Sequence, residues 1–461
     1  MSILAAFMAP HPPMIVPEVG RGGEKEILET TRAYERIAEE IAALRPDTLI
    51  VTSPHAILYA DYFHISPGSG ATGSFRQFRA PEVRFSEQYD TALVKRICAL
   101  ADAEDFPAGT LGERDASLDH GTMVPLYFIR KKYDGGKLVR IGLSGLPLSD
   151  HYRLGQIVAR ACDETGTRAV LIASGDLSHK LREYGPYGFA PEGPEYDRRI
   201  MDVCARAAFG ELFDFSATFC DKAAECGHRS FVILAGAFDG LAVRAKALSH
   251  QDVTGVGYGI CTFYPDGADE TRRFLDAYRE RVTRECLEKA EKSDAYVKLA
   301  RAAVNAWVLR RERLAVPDGL PEEMLSRRAG TFVSLHKEGQ LRGCIGTIEA
   351  TRNSIAEEIV QNAVSACSRD PRFSPVDANE LGSLEISVDV LGEAEPIDSP
   401  AALDVKRYGV IVSCGRKRGL LLPDLEGVDT PEEQIRIARQ KGGIREDEPY
   451  RLERFEVVRH H

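Results

Sequence analysis

The 461-residue chain has ten cysteines, but no CxxC pair and no closely spaced cysteine triplet. That spacing offers no disulfide framework and no motif for an iron–sulfur cluster. It fits free thiols in a reducing cytoplasm. Long apolar runs are also missing, and none approaches the ~18 residues of a membrane-spanning helix. The first apolar run is short, lacks a basic leader and meets Pro10, so it reads as a strand rather than a signal peptide. Basic residues are outnumbered, 59 Lys and Arg against 70 Asp and Glu, for a net charge of −11. This argues against nucleic acid or an anionic membrane as the main partner. The basic cluster Arg416-Lys417-Arg418 sits beside glycines and reads as a solvated turn. Apolar residues make up 44% of the chain, which at this length supports two or three domains with real cores. A homo-oligomer is compatible with all of this.

Against that background, three histidines share one setting. His11 follows the apolar run from Ile3 to Ala9 and lies between prolines. His55 follows Thr48-Leu49-Ile50-Val51-Thr52-Ser53-Pro54, and His179 follows the run from Ala169 to Ser174. Runs of this kind read as buried strands of a parallel sheet. Ligands of open α/β sheets bind at the carboxyl ends of the strands. Histidines at three strand ends are therefore expected to converge, as metal ligands do.

The first half alternates strand and helix signals. Helices are expected over 24–44, 87–100 and 152–165, and strands over 138–146 and 169–174, with a last strand near 260–264. This rhythm predicts an α/β sandwich with a mostly parallel central sheet, over residues 1–268. Pro265-Asp266-Gly267 breaks it. A polar helix from about Asp269 to Lys292 reads as connector, assigned to 269–289, and a second helix runs from Ala295 to Leu314. The remainder, 290–461, changes character to an α+β domain. There Lys337-Glu338-Gly339-Gln340 is a hairpin signal between two strands.

Two histidines and one carboxylate on one face make a non-haem Fe(II) site with positions left open. His11 and His55 supply the imidazoles. Glu225, Cys226 and His228, ahead of the apolar helix from Phe231 to Phe238, are the candidates for the third ligand. A hard anionic oxygen favours Glu225, whereas a Cys226 thiolate would move the preference from iron to zinc or copper. Leu118-Asp119-His120-Gly121 and Ser174-Gly175-Asp176-Leu177-Ser178-His179 supply two further histidines as acid–base candidates, although a lone histidine is more often structural.

Together, His11-Pro12-Pro13, Ser53-Pro54-His55, Leu118-Asp119-His120-Gly121 with Val124-Pro125-Leu126, and the run from Ser174 to His179 resemble the class III extradiol ring-cleavage dioxygenases of the LigB type, over about residues 1–265. The resemblance implies that His11 and His55 bind iron, with a glutamate completing the triad. It implies a catechol-like or phenolic substrate that chelates Fe(II) beside dioxygen. His179 would be general base and then acid, and His120 would stabilise charge developing on dioxygen. The segment Glu225-Cys226-Gly227 departs from the classical dioxygenases and is similar to the Memo-like branch, where a cysteine occupies this region.

In the second half, Leu341-Arg342-Gly343-Cys344-Ile345-Gly346, Ser368-Arg369-Asp370-Pro371-Arg372-Phe373 and Leu384-Glu385-Ile386-Ser387-Val388 resemble the AMMECR family. A LigB/Memo-like domain ahead of an AMMECR domain is similar to the A proteins of AmmeMemoRadiSam systems. That resemblance implies a separate radical SAM protein as partner. From the residues alone, Gly343 and Gly346 permit close backbone approach. Cys344 then has two readings, an exposed nucleophile whose pKa Arg342 lowers or a small buried thiol. Arg369, Asp370 and Arg372 read as a charge network or an anion site.

Overall fold

Every residue of the strand Ile3–Ala9 except Leu4 is buried, because the strand has a core on each side. Ala6 and Met8 pack into one core, and Ala5, Phe7 and Ala9 into the other. A continuous apolar run is what such a two-sided position demands. The structure, a computed structural model, describes residues 2–425 and 427–461. It divides into two compact units, one ending at Tyr278 and the other starting at Arg279. That boundary falls inside the helix Phe274–Lys292.

The first unit is built on a six-stranded sheet in the order Lys137–Gly142, Thr48–Ser53, Ala169–Ser174, Ile3–Ala9, Tyr258–Ala268, Leu241–Gln251. The first four strands pair in parallel, and the last two join them through antiparallel pairings. Helices Leu28–Leu44 and His120–Arg130 cover one face. Helices Thr91–Ala103, Leu148–Thr165, Glu192–Arg206 and His228–Gly236 cover the other. The strands that precede His11, His55 and His179 are thus three neighbours in the middle of the sheet.

Several elements depart from the sequence reading. The helix expected over 87–100 begins only at Thr91, where Asp90 caps it by accepting the Leu93 N–H at 3.1 Å. Residues before it form the strand Ala80–Gln88, paired with Gly70–Phe75 in a hairpin. The strand Leu241–Gln251 was not expected at all. Its Arg244 and Lys246 mask it, since charged residues belong on an exposed sheet edge rather than in an apolar run.

The second unit is an antiparallel sheet with the strand order Gln340–Gly346, Thr331–Lys337, Leu384–Leu391, Arg451–His460, Tyr408–Cys414, Lys417–Leu421. The short strand Glu395–Ile397 also pairs with Arg451–His460. Helices Ala295–Arg310 and Ile355–Ser368 share one apolar core with it, and Pro431–Lys441 covers a second. The first hairpin turns at Glu338 and Gly339 with φ of 51° and 76°, the left-handed pair that a two-residue connection requires. All ten cysteines are free thiols. Among the described residues no helix is long and apolar enough to cross a membrane.

Candidate metal centre

His11 leaves the end of its strand fully enclosed. Its backbone N–H donates to Asp176 Oδ1 at 2.7 Å, and its ring Nδ1 lies 2.9 Å from Ser174 Oγ. The Ser174 hydroxyl already donates to the Gly121 carbonyl at 2.6 Å, so it accepts from His11 Nδ1–H. That fixes the tautomer and leaves the Nε2 lone pair free for a metal. Burial, with His55 adding to it, pushes the His11 pKa down to about 3, so the ring is neutral. His55 Nε2 sits 3.0 Å from His11 Nε2, and the Cys226 sulfur is 3.6 Å from the same atom. The ligand atoms of His11, His55 and Cys226 all lie within 4.8 Å of one another. Two neutral imidazoles and one thiol make a transition-metal donor set.

Cys226 reaches His11 through a backbone contact that only glycine allows. A Cβ on Gly175 would meet Gly227 Cα at 2.1 Å, so the loop after Ala169–Ser174 and the turn before His228–Gly236 touch main chain to main chain. The Asp176 N–H then points at Cys226 Sγ at 3.3 Å. Burial raises the thiol pKa, and a bound cation would oppose that.

Glu225, expected as the third ligand, is turned elsewhere and does not join the ligand atoms of His11 and His55. Its carboxylate accepts the His228 N–H at 2.6 Å, three residues on, at the start of the helix His228–Gly236. Burial lifts its pKa to about 7. His228 also faces other partners. Its Nε2 donates to the Leu212 carbonyl at 3.0 Å, its Nδ1 faces the Tyr196 hydroxyl at 3.2 Å, and burial lowers its pKa to about 4.

The other two predicted histidines do gather here. His120 opens the helix His120–Arg130, which Asp119 caps by accepting from the Thr122 N–H at 3.0 Å. Its ring centre is 4.0 Å from that of His55 and 5.4 Å from that of His11. Gly121 permits this approach, because a Cβ there would lie 2.4 Å from Ser53 Oγ. The His179 ring lies beside that of Tyr187, with centres 5.0 Å apart and planes tilted by 33°, and its Nε2 is buried without a partner among the described residues. In front of His55 and His120 lies a cavity of about 1580 Å³, walled in part by Arg76, Phe78 and Arg84 of the unforeseen hairpin. Sequence reasoning missed these, and also Ser174 and Asp176 as supports of His11. The Asp119-to-Thr122 cap spacing was readable, but the Ser174 contact spans 163 residues and has no local signal.

Cys344, in the second unit, is half-buried. Arg342 does not activate it, because its guanidinium is committed to other partners, Glu380 at 2.9 Å and the Ser374 carbonyl. Burial raises the Cys344 pKa, with Ser334 and Arg372 pulling the other way. Asp370 accepts the Cys344 N–H at 2.9 Å and pairs with Arg372 at 2.7 Å, so those two form a charge network. Gly343 is needed for packing, since a Cβ would meet the Ala366 carbonyl at 2.4 Å.

Comparison with known proteins matches residues 5–261 to the family described as the catalytic LigB subunit of aromatic ring-opening dioxygenase, and residues 297–460 to AMMECR1. A Clostridium acetobutylicum protein is 42% identical over 469 aligned residues, covering 100% of this chain and 99% of that protein. A Thermotoga maritima protein is 48% identical over 167 residues, 36% of this chain and 96% of its own length. Among solved structures, an uncharacterized Pyrococcus horikoshii protein aligns with a TM-score of 0.34 at 29% identity, over 37% of this chain and 91% of its own. The LigB match spans more than half of the chain and the AMMECR1 match most of the rest, so this chain belongs to the LigB family, with an AMMECR1 domain at its carboxyl side.

Proposed function

We propose that the chain is a metal-dependent oxidoreductase of the extradiol type, acting on a catechol-like or phenolic small molecule with dioxygen. The reading rests on the gathering of His11, His55 and Cys226 as ligands with His120 and His179 beside them. The bound ion, Fe(II) or alternatively zinc or copper, supplies Lewis acidity and, for iron or copper, electron transfer. His179 takes the substrate hydroxyl proton. Burial lowers its pKa, so it is neutral and able to accept near neutral pH, while Asp176 favours the protonated ring that results. His120, held at the helix start, is placed to donate to charge developing on dioxygen. The wall of Phe78 and Met123 offers an aromatic ring an apolar surface.

A second reading is favoured by Cys226 standing where the classical site has a carboxylate. A thiolate suits zinc or copper better than ferrous iron. The chain would then be a metal-binding, Memo-like component of a pathway with a radical SAM partner, without ring cleavage. Oxygen uptake by chain loaded anaerobically with iron, copper or zinc, tested with catechol, 4-methylcatechol and 3,4-dihydroxybenzoate, separates the two. The first reading expects uptake with at least one substrate, lost in His179→Ala while metal content stays. No uptake with any metal and substrate sinks it and leaves the second.

A further inference from the structure

The second unit contains a cavity of about 1140 Å³ that the proposed metal chemistry does not use. Small-molecule pockets run to roughly 300–1,000 Å³, so there is room for a sizeable ligand. Its walls come from the sheet, the last turns of Phe274–Lys292 and the end of Pro431–Lys441.

In a chain with a net charge of −11, this wall is cationic. Two acids face the cavity, and each is already neutralised within it. Glu385 pairs with Lys289 at 2.7 Å and Asp389 with Arg459 at 2.8 Å. Arg372 and Arg418 are held by acids outside the wall, Asp370 for the first and Glu349 and Glu453 for the second. Lys292, Arg301 and Lys441 have no acid at ion-pair distance among the described residues. Arg301 donates to the Leu384 carbonyl at 2.7 Å, but its Nε is buried with no acceptor.

The polar end of the cavity lies around Cys344. The Arg372 fork spends Nε and Nη2 on Asp370, at 2.9 and 2.7 Å, which leaves Nη1 without a protein partner among the described residues. Lys441 is close enough to both Cys344 and Arg372 to feel their charge. Burial lowers its pKa and Arg372 adds to that, with only the Cys344 thiol opposing. An ammonium in that setting lacks an anion. The wall also carries an apolar patch, with Phe332, Ile348, Leu420 and Leu422 all partly exposed.

We propose that this cavity binds an amphipathic organic anion. Its aromatic or aliphatic body would lie on Phe332, Ile348, Leu420 and Leu422, and its carboxylate or phosphate would sit on Lys441 and Arg372 beside Cys344. A charge-assisted hydrogen bond in a partly dry pocket gives such a headgroup its advantage over a neutral one.

Isothermal titration of the full chain with 1-naphthoate, 1-naphthyl phosphate and neutral 1-naphthol tests this, and the preferred anion identifies the headgroup. At least one anion is expected to bind about tenfold more tightly than naphthol, and Lys441→Gln, at an exposed helix end, removes that advantage. The bound anion is also expected to slow iodoacetamide alkylation of Cys344, read by mass spectrometry. The proposal is overturned if neither anion binds saturably, if naphthol binds equally well, or if Lys441→Gln changes nothing. Unprotected Cys344 overturns it too, as does loss of binding in His11→Ala, which would place the ligand at the metal centre.

Discussion

Glu225 and Cys226 are adjacent, yet only the second presents its side chain to His11, at 3.6 Å. The Glu225 carboxylate is occupied by the His228 N–H, and its removal from the centre is a matter of capping. This distinction is measurable. Cys226→Ser is expected to lower metal stoichiometry sharply in anaerobically purified protein, while Glu225→Gln, which keeps an acceptor for the same N–H, retains it. Metal loss in Glu225→Gln with retention in Cys226→Ser would reverse the assignment. His11 and His55 as a pair were readable from their place after apolar runs. The third position was not, because which of Glu225, Cys226 and His228 turns inward depends on the backbone path through Gly227 and on the partner Gly175 across the loop.

Whole elements meet at this centre through close backbone contacts. Gly175→Ala would force its Cβ to 2.1 Å from Gly227 Cα, and main chain cannot swing aside as a side chain can. We expect a loss of about 1–3 kcal/mol in denaturant melts together with weakened metal binding. Wild-type metal affinity in that variant would refute the view that this contact seats Cys226. In the second unit, Glu380 ties the 3-10 segment Ala378–Ser383 to the strand Gln340–Gly346 through Arg342 at 2.9 Å. Burial opposes its ionisation, but Arg342, the Asp377 N–H and Lys337 outweigh it and hold its pKa down to about 2. A depressed carboxylate stabilises the fold above its unfolded value of 4.5 and loses that contribution as pH falls towards 2. Melts from pH 6 to 2, monitored over the full chain, should therefore show acid sensitivity that Glu380→Gln reduces. An unchanged pH profile in that variant would count against the pairing. Element identity was legible where a helical period marks it, as in Leu28–Leu44 and Leu148–Thr165. It failed for Leu241–Gln251 because an edge strand with charges lacks the apolar run that betrays central strands.

For the molecule as a whole, the candidate metal ligands come from the ends of separate elements that the unfolded chain keeps far apart: His55 is 44 residues from His11, and Cys226 is 215. A metal bound there stabilises only the folded state. At free metal about 100 times Kd the gain is about 2.7 kcal/mol. The thermal transition of the first unit should rise on adding metal, and His55→Ala, at an exposed position, should abolish that rise. An equal rise in the variant would mean that the ion binds elsewhere.

Composition, apolar runs and turn residues were enough to set the class of both halves, the parallel sheet and the strand-end placement of His11, His55 and His179. These are local properties, written in the period of the side chains and the punctuation between them. Three features belong to tertiary structure alone: Cys226 as the neighbour of His11 and His55, the Ser174 hydroxyl that sets the His11 tautomer, and the cationic cavity around Lys441. Each depends on groups distant in sequence meeting at a few ångströms. Burial and close backbone packing decide those meetings, and no short stretch of chain encodes them.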